Sequence, residues 1–399
     1  MMAAARAAAL GANTILLEKQ KKVGRKLAIT GKGRCNITSM ASSDSFIQGY
    51  AGNGKFLYSS LRQFSNVDLV RLLNGLGVQT KVERGQRVFP VSDNAEEVVQ
   101  ALSDYVRSQG VKVLTDARVD TISRQSDFFI VGTAAEAFRA EALIIATGGM
   151  SYPGTGSTGD GYAWLKQLGH SVTPLRPGLV PLVTEEKWVR DLSGLTLKNI
   201  RATVYDAQYQ REISSQFGEL LFTHFGVSGP IVLTMSRAVG EYLSAHAGTA
   251  RMDIDLKPAL NVEKLTVRVQ RELDRFSRKH LKNMLAVLLP HRLIPIITVN
   301  SGLAADKLCA DINREERSRL VACMKKLSLI ITETCSLAEA IVTVGGIKVV
   351  EVNPKTMESK ICPGLFIAGE ILDIDGYTGG YNLQAAFSTG WVAGQNAAH

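Results

Sequence analysis

The sequence predicts an α/β protein whose core is a parallel sheet of short, buried strands. Three segments predict it: residues 1–18, residues 142–149 and residues 364–384. In each of them an apolar strand of a few residues ends at a glycine or a glutamate, and a helical pattern precedes or follows it. Strands that are apolar on both faces are typical of parallel sheets covered by helices, so all three are expected to be buried strands of this kind.

The N-terminal segment has the pattern of the second half of a dinucleotide-binding βαβ unit. Residues 1–10 are alanine-rich and helical in character, and Gly11 stands where a helix would end. Residues 13–17 then form an apolar strand that ends at Glu18, the type of residue that accepts hydrogen bonds from ribose hydroxyls in such units. The first half, a strand followed by G-x-G-x-x-G, is absent from the sequence, so the first βαβ unit is expected to be incomplete.

The next segment, residues 23–36, alternates three glycines with four cationic side chains. Its glycines make it too broken for a helix, and they would let the backbone approach a ligand closely. The cations suit phosphate, so the segment is predicted to be a loop that lies beside the phosphate groups of a ligand. An ordinary solvated loop is the competing interpretation.

Further strands and a helix follow in the first half of the chain. Residues 110–122 predict two short strands, and residues 128–149 predict two more, the last of which ends at Thr147 and Gly148. Residues 151–169 form a loop rich in Gly, Ser and Thr that leads into an amphipathic helix.

The C-terminal segment is the most informative one, because it combines a strand, a carboxylate and a glycine-rich turn before a helix. Residues 365–368 are an apolar strand that runs into Gly369 and Glu370, and a helical pattern begins at Asn382. A carboxylate at a strand end can accept from the hydroxyls of a sugar chain, and a helix start directs N–H groups at a carbonyl edge. This combination is typical of a flavin site, although an ordinary strand, turn and helix would look similar.

The middle of the chain has a different character. Residues 180–260 contain alternating apolar and polar stretches and predict a β-rich insert, whereas residues 261–326 are helical and basic. The basic helices could bind nucleic acid or an acidic partner, but no aromatic interleaving accompanies them, which favours a solvated face. His224 lies within residues 218–230 between two phenylalanines, where a packing role is the simpler interpretation and catalysis the alternative.

Composition limits the possible classes of protein. A chain of 399 residues with 45% apolar content is globular and long enough for two or three domains. Its five cysteines are widely spaced and form no C-x-x-C pair, so neither a disulfide framework nor a metal site is expected. The sequence shows no signal peptide and no membrane-spanning run, which favours the cytoplasm. The net charge of +9 suits an anionic cofactor or partner.

Together these segments make the chain resemble the aminoacetone oxidase and BaiN-like family of NAD(P)/FAD-dependent oxidoreductases. The resemblance extends over almost the whole chain in the order typical of the family. It rests on residues 16–19, 23–36, 89–95, 142–162, 218–230, 352–360 and 363–384.

The resemblance implies a Rossmann-like FAD-binding domain of the glutathione reductase type that is split in sequence. Residues 1–185 and 346–399 would form this domain. A β-barrel-like insert would comprise residues 186–260 and 325–345, and residues 261–324 would form a small helical subdomain. The absent first strand would open a gap of about 4.8 Å in the sheet, and the absent glycine loop would weaken FAD binding.

The resemblance also implies roles for individual residues. Glu18 would hold the adenosine ribose, the backbone of Val119 would meet adenine, and Glu370 would accept from a ribitol hydroxyl. The other residues expected to bind the cofactor are Lys19, Arg25, Lys26, Thr30, Gly31, Gly33, Arg34, Cys35, Asn36, Thr147, Gly148, Gly369, Gly380, Tyr381, Asn382 and Leu383.

The implied activity is hydride transfer between a small organic substrate and FAD. The substrate would be an amine or an unsaturated ketone, and NAD(P)H or oxygen would be the second partner. His224 is the candidate for proton transfer, and Arg34 would balance negative charge on the substrate or the reduced flavin. Nucleic acid and membrane are not expected as partners. The alternative is a flavin-fold scaffold without activity, either an inactive truncated fragment or a protein that binds a partner through its basic helices.

Overall fold

The structure of the chain is a computed structural model that describes residues 1–206, 208, 211–246 and 248–399. For Ser43 it describes the backbone alone. Its α-helices are α1 Met2–Ala9, α2 Arg25–Gly33, α3 Ser43–Gln48, α4 Tyr58–Gln63, α5 Asn66–Gly75, α6 Ala95–Ser108, α7 Asp160–Gln167, α8 Pro230–Ala245, α9 Val262–Arg275, α10 Leu281–Leu288, α11 Ile294–Asn300, α12 Arg314–Lys325 and α13 Tyr381–Ala397. Its strands are β1 Ile15–Leu17, β2 Thr38–Ser39, β3 Thr80–Glu83, β4 Arg87–Pro90, β5 Lys112–Leu114, β6 Val119–Gln125, β7 Phe128–Thr133, β8 Ala137–Ala140, β9 Leu143–Ile145, β10 Arg176–Gly178, β11 Leu182–Thr184, β12 Thr196–Tyr205, β13 Glu212–Phe222, β14 Gly226–Ser228, β15 Ala250–Asp255, β16 Leu327–Thr334, β17 Val342–Val344 and β18 Leu365–Ile367.

The chain divides into two compact units. The first unit comprises Met1–Gly178 and Leu337–His399, and the second comprises Leu179–Ser336. The sequence-based domain boundaries lie a few residues later along the chain, after residues 185 and 345. Within the described residues, no helix combines the length and the apolarity that crossing a bilayer requires.

The first unit contains the predicted parallel strands as two separate pairs. β1 pairs with β5, with Ile15 opposite Lys112, and β9 pairs with β18, with Leu143 opposite Leu365. The side chain of Ile15 is 40% exposed, although an apolar strand in the middle of a parallel sheet is normally covered on both faces. The α/β class predicted from the sequence is confirmed, and its parallel strands are divided between two short sheets.

Small residues allow helices α1 and α13 of the first unit to pack closely. α1 buries four of its alanines, and α13 turns Gly390 and Gly394 toward it. Arg6 fixes the register of this pair, because its guanidinium donates to Gln395 (2.9 Å) and lies 4.3 Å from the centre of the Trp391 ring.

The second unit is built on a closed six-stranded barrel, which confirms the predicted β-barrel-like insert. The strand order is β11-β14-β13-β12-β15-β16, and every neighbouring pair is antiparallel. Burial alternates along β15, so one face of the strand points into the barrel and packs in the core. Helices α9 to α12 confirm the helical pattern predicted for residues 261–326.

Three local predictions were wrong. Residues 25–29 are helical, although the glycines of residues 23–36 suggested a loop; the helical geometry breaks only at Thr30–Lys32. Residues 128–149 form three strands instead of two, because a turn separates β8 from β9. The β-rich region also contains the 16-residue helix α8, whose start is marked by Pro230 at its first position.

A buried histidine connects distant segments of the first unit. The Nδ1 atom of His170 lies 3.0 Å from Glu351, and its Nε2 atom lies 2.8 Å from the Ser359 hydroxyl. Glu351 also accepts from the backbone N–H of Ser171 (2.9 Å). The side chain of His170 is completely buried, so this network holds the loop of residues 348–362 against the end of α7.

Candidate functional site

Glu370, three residues after the end of β18, is the centre of a polar cluster in the first unit. Its Oε2 atom accepts from Lys26 Nζ at 2.6 Å. Its Oε1 atom accepts from the Ser151 hydroxyl (3.0 Å) and from the backbone N–H of Thr343 (2.9 Å). Lys26 donates to the same hydroxyl at 2.6 Å. The structure therefore brings together two predicted site residues, Lys26 and Glu370, that lie far apart in the sequence.

The turn after β9 and a buried tyrosine complete the surroundings of Glu370. A side chain at Gly148 would meet Glu370 and Ser157, so the predicted Thr147–Gly148 turn lies against the carboxylate. The Tyr162 hydroxyl is buried and has no hydrogen-bond partner among the described residues. Burial raises the pKa of Tyr162, and the nearby charge of Glu370 raises it further. This hydroxyl therefore stays protonated near neutral pH.

The start of α13 is fixed from several directions. Gly380 has a φ of +98°, and any Cβ there would overlap the backbone of Thr38. In the amide orientation that satisfies its neighbours, Asn36 accepts from the N–H of Gly380 at 3.1 Å. Asn382 bonds to both the N–H and the carbonyl of Gly376, each at 2.8 Å. The first N–H groups of α13 have no acceptor within the helix, so this rigid start presents donors to a ligand.

The Tyr381 ring adds an aromatic cluster beneath this helix start. Its centroid lies 4.9 Å from that of Phe46, and the Tyr50 hydroxyl donates to the carbonyl of Tyr381 at 2.8 Å. Tyr381 is therefore a packing anchor, while Leu383 follows it in the first turn of the helix.

The irregular end of α2 and the residues just after it have a backbone suited to anions. Gly31, Lys32, Gly33 and Cys35 all have positive φ angles, and successive N–H groups in such turns form anion-binding concavities. The Thr30 hydroxyl donates to the carbonyl of Leu27 and is occupied locally. Cys35 is buried, and burial raises the pKa of its thiol to about 11, so the thiol stays protonated near neutral pH.

Arg34 is engaged in ion pairs. It pairs with Glu83 and with Asp93 (2.6 Å), and its guanidinium lies 4.2 Å from the centre of the Phe89 ring. The hydrogen bonds that Arg34 donates to these carboxylates raise its pKa. Its role in balancing charge on a substrate stays a prediction, and this structure gives its charge other partners.

Glu18 stands at the end of β1 as predicted. Its Oε1 atom accepts from the N–H of Gln20 at 2.8 Å, and burial raises the pKa of the carboxyl. Val119 begins β6 two residues after Ala117, whose N–H donates to the carbonyl of Glu18. This hydrogen bond brings the backbone segments of Glu18 and Val119 close together in space, as an adenosine site requires.

The remaining cations predicted to bind the cofactor contact other side chains. Lys19 pairs with Asp160 at 2.6 Å, and Arg25 donates to Gln20. Lys19 therefore ties the end of β1 to the start of α7.

His224 belongs to the second unit, at the exposed turn between β13 and β14. The Thr223 hydroxyl accepts from the N–H of Gly226 (3.1 Å) and so holds the turn. The His224 ring meets the Phe225 ring edge-on at 4.9 Å. Its proposed part in proton transfer stays a prediction.

These features fit an extended dinucleotide with a flavin at one end. A carboxylate follows one strand of each parallel pair, Glu18 after β1 and Glu370 after β18, and ligands of α/β sheets bind at such strand ends. A small pocket beside α13 is lined by Gly369 and Glu370. Its other lining residues are Leu372, Ile374, Asn382, Ala385 and Thr389.

Two residues of the Glu370 cluster, Ser151 and Thr343, were missed by the sequence analysis, and so was the buried hydroxyl of Tyr162. Ser151 follows the predicted glycine turn closely, which is the one signal that could have identified it. Tyr162 has the appearance of a core residue of an amphipathic helix, and Thr343 lies in a short apolar strand.

Comparison with known proteins covers nearly the whole chain. The family model described as HI0933-like protein Rossmann domain matches residues 1–396. The 3-dehydro-bile acid delta(4,6)-reductase of Clostridium scindens is 30% identical over 97% of this chain and 93% of its own length. The ribosomal RNA dihydrouridine synthase of Haemophilus influenzae is also 30% identical, over 98% of this chain and 94% of its own length. Among solved structures, a 3-ketosteroid-delta4-(5alpha)-dehydrogenase from Rhodococcus jostii shares the fold, with a TM-score of 0.51, 13% identity and coverage of 100% of this chain and 94% of the other.

Proposed function

The chain belongs to the HI0933-like Rossmann family and is an FAD-dependent oxidoreductase, and from this premise we propose that it reduces a carbon–carbon double bond conjugated to a carbonyl group. One observation carries the proposal: two relatives of equal similarity have different substrates but the same chemistry. A Δ4 bond is conjugated to the 3-oxo group of a 3-dehydro-bile acid, and the C5=C6 bond of uridine is conjugated to its C4 carbonyl. Both names therefore describe reduction of an activated double bond.

The atoms of this reaction balance in a simple way. A hydride adds to the carbon β to the carbonyl, and a proton adds to the α carbon, so the double bond becomes a single bond. FAD supplies the hydride when it is bound and reduced, and NAD(P)H is the proposed source of the electrons. The names of the relatives favour an unsaturated carbonyl over an amine as the substrate.

The residues of this chain would hold the cofactor and manage charge and protons. Glu18 and Glu370 would accept from sugar hydroxyls, while the ion pair with Lys26 holds Glu370 in place. The start of α13 would favour negative charge on the pyrimidine edge of the flavin. His224 is proposed to deliver the proton to the α carbon, and Arg34 to balance developing negative charge.

The test is a substrate panel with the FAD-loaded protein and NAD(P)H. A Δ4-3-oxosteroid, a uridine-containing RNA and aminoacetone would be compared, and products would be identified by mass spectrometry. A product that has gained two hydrogen atoms is expected from the steroid or the RNA. Oxidation of aminoacetone, with no reduction of either unsaturated substrate, would overturn the proposal.

A variant of the cofactor site provides the matched control for this panel. Glu370→Gln keeps the shape of the side chain but removes its charge, and we expect it to lower the affinity for FAD about tenfold, the cost of a hydrogen bond to a charged group. At saturating FAD its substrate preference should equal that of the parent. A changed preference would place Glu370 at the substrate instead.

A further inference from the structure

Positive charge is concentrated in one part of the second unit. Residues 262–325 contain thirteen Lys and Arg residues and seven Asp and Glu residues, a net charge of +6 out of +9 for the whole chain. They form the helices α9 to α12, with their connections. Fewer than one fifth of the residues therefore carry about two thirds of the net charge.

Helix α9 arranges part of this charge on one face. Lys264, Arg268, Arg271 and Arg275, here called the cationic face, follow one another at intervals of four, three and four residues. At 3.6 residues per turn their directions fall within an arc of about 60°, and they span about 16 Å along the helix. The acidic residues Glu263 and Asp274 lie to one side of this face, about 100° and 80° around the helix from Lys264.

A buried carboxylate positions three of these cations. Glu272 is 3% exposed, and it lies 3.0 Å from Arg271, 3.3 Å from Arg268 and 3.7 Å from Arg275. The side chains of Arg271 and Arg275 are 65% and 70% exposed, so their outer N–H groups face solvent. One negative charge thus fixes three guanidinium groups and neutralises only one of them.

A further cation lies next to this cluster. Burial lowers the pKa of Lys257, and the positive charge of Arg268 lowers it further.

We propose that the cationic face binds the phosphate backbone of RNA. Guanidinium groups bind phosphate oxygens through two parallel hydrogen bonds, and a row of four cations about 16 Å long fits several successive phosphates better than a single small anion. The proposal departs from the sequence-based expectation that nucleic acid is not a partner. It extends the proposed function, because it would bring a uridine within RNA to the enzyme, but RNA binding can be measured without turnover.

The test is binding of a fluorescently labelled single-stranded RNA by the FAD-loaded protein at several salt concentrations. The triple variant Lys264→Gln/Arg271→Gln/Arg275→Gln should bind on the order of tenfold more weakly or worse at low salt, and the slope of log affinity against log salt should fall by about 2. Arg268 is left in place so that Glu272 keeps a partner.

A matched control removes the same charge elsewhere. Arg71, Arg107 and Lys112 are exposed residues of the first unit, and replacing all three with Gln lowers the net charge equally. This control should bind RNA within about twofold of the parent. Arg271→Lys/Arg275→Lys keeps the positive charge and should retain most of the RNA binding. Retained binding would show that the triple variant binds weakly because charged contacts are lost and not because the fold is lost.

Three outcomes would overturn the proposal. The control and the triple variant could weaken binding equally, which would show that only net charge matters. The parent could fail to bind RNA at low salt. Polyglutamate or phosphatidylserine vesicles could bind the cationic face as tightly as RNA, with the same loss in the triple variant, which would assign it to an acidic protein or a membrane surface. Loss of RNA binding with unchanged reduction of a steroid enone would leave the proposed reductase chemistry intact.

Discussion

His224→Ala should lower turnover about a hundredfold in the FAD-loaded protein while the flavin spectrum stays unchanged. A positioned acid or base commonly contributes a factor of 10² to 10⁴ to a rate, and histidine is the residue that most often has this role in enzymes. The histidine lies on an exposed turn that is held by Thr223, so its removal should not disturb the barrel. Steady-state kinetics on the preferred substrate of the panel would measure the effect.

An exposed histidine of the same unit provides the control for this variant. His291 lies before α11 and has no proposed part in catalysis, so His291→Ala should retain the parental rate. Undiminished turnover in His224→Ala, with normal FAD content, would assign His224 to packing against Phe225.

Gly394→Ala should destabilise the first unit by about 2 kcal/mol, within the range that overpacking usually costs. A Cβ at this position would lie 2.9 Å from the carbonyl carbon of Ala3 and would overlap its oxygen, so α1 and α13 would have to separate. The obstacle is backbone, which cannot rotate away as a side chain can. Thermal and urea unfolding midpoints, followed by circular dichroism, would measure the loss.

The neighbouring glycine of α13 is a matched control. A Cβ at Gly390 would meet the Met2 side chain at 3.5 Å, an ordinary van der Waals contact. Gly390→Ala should therefore be neutral or should stabilise the protein by up to about 1 kcal/mol, since alanine favours a helix. Equal effects of the two substitutions would mean that the close approach of α1 and α13 does not require glycine at position 394.

Sequence patterns predicted the elements whose signals are local. The strand ending at Glu18, the strand before Glu370 and the start of α13 all have apolar runs bounded by glycine or a carboxylate. The same holds for the helices after residue 261. These elements are confirmed because each short window of sequence contains both the element and its boundary.

The errors arose where long-range packing or an overlooked boundary decided the structure. Residues 25–29 are helical despite their glycine neighbours, because α2 packs on α6 and buries Leu27. The start of α8 at Pro230 was not predicted, because alternating apolar and polar segments surround it and indicate strands. Ser151 and Thr343 meet Glu370 only through the fold, since no local pattern connects residues this distant in the chain.

Because of the His170 network, the stability of the first unit depends on pH. Burial lowers the pKa of His170, so the unfolded chain binds this proton more readily than the folded chain does. Stability is therefore fully present above about pH 6.5 and is lost as the pH falls through the lower pKa of the folded state. Burial alone would raise the pKa of Glu351, but hydrogen bonds from Ser171 and His170 outweigh it and lower the pKa, so this carboxyl adds a further loss at lower pH.

The loop that this network holds should consequently be the first part of the unit to loosen in acid. Unfolding midpoints of the parent should fall between pH 7.5 and about pH 5, and His170→Gln should flatten this dependence while lowering stability at pH 7.5. An unchanged slope in the variant would assign the proton uptake to other groups. Protonation of one buried ring would then couple the acidity of the surroundings to the order of residues 348–362, which lead directly into the strand that positions Glu370.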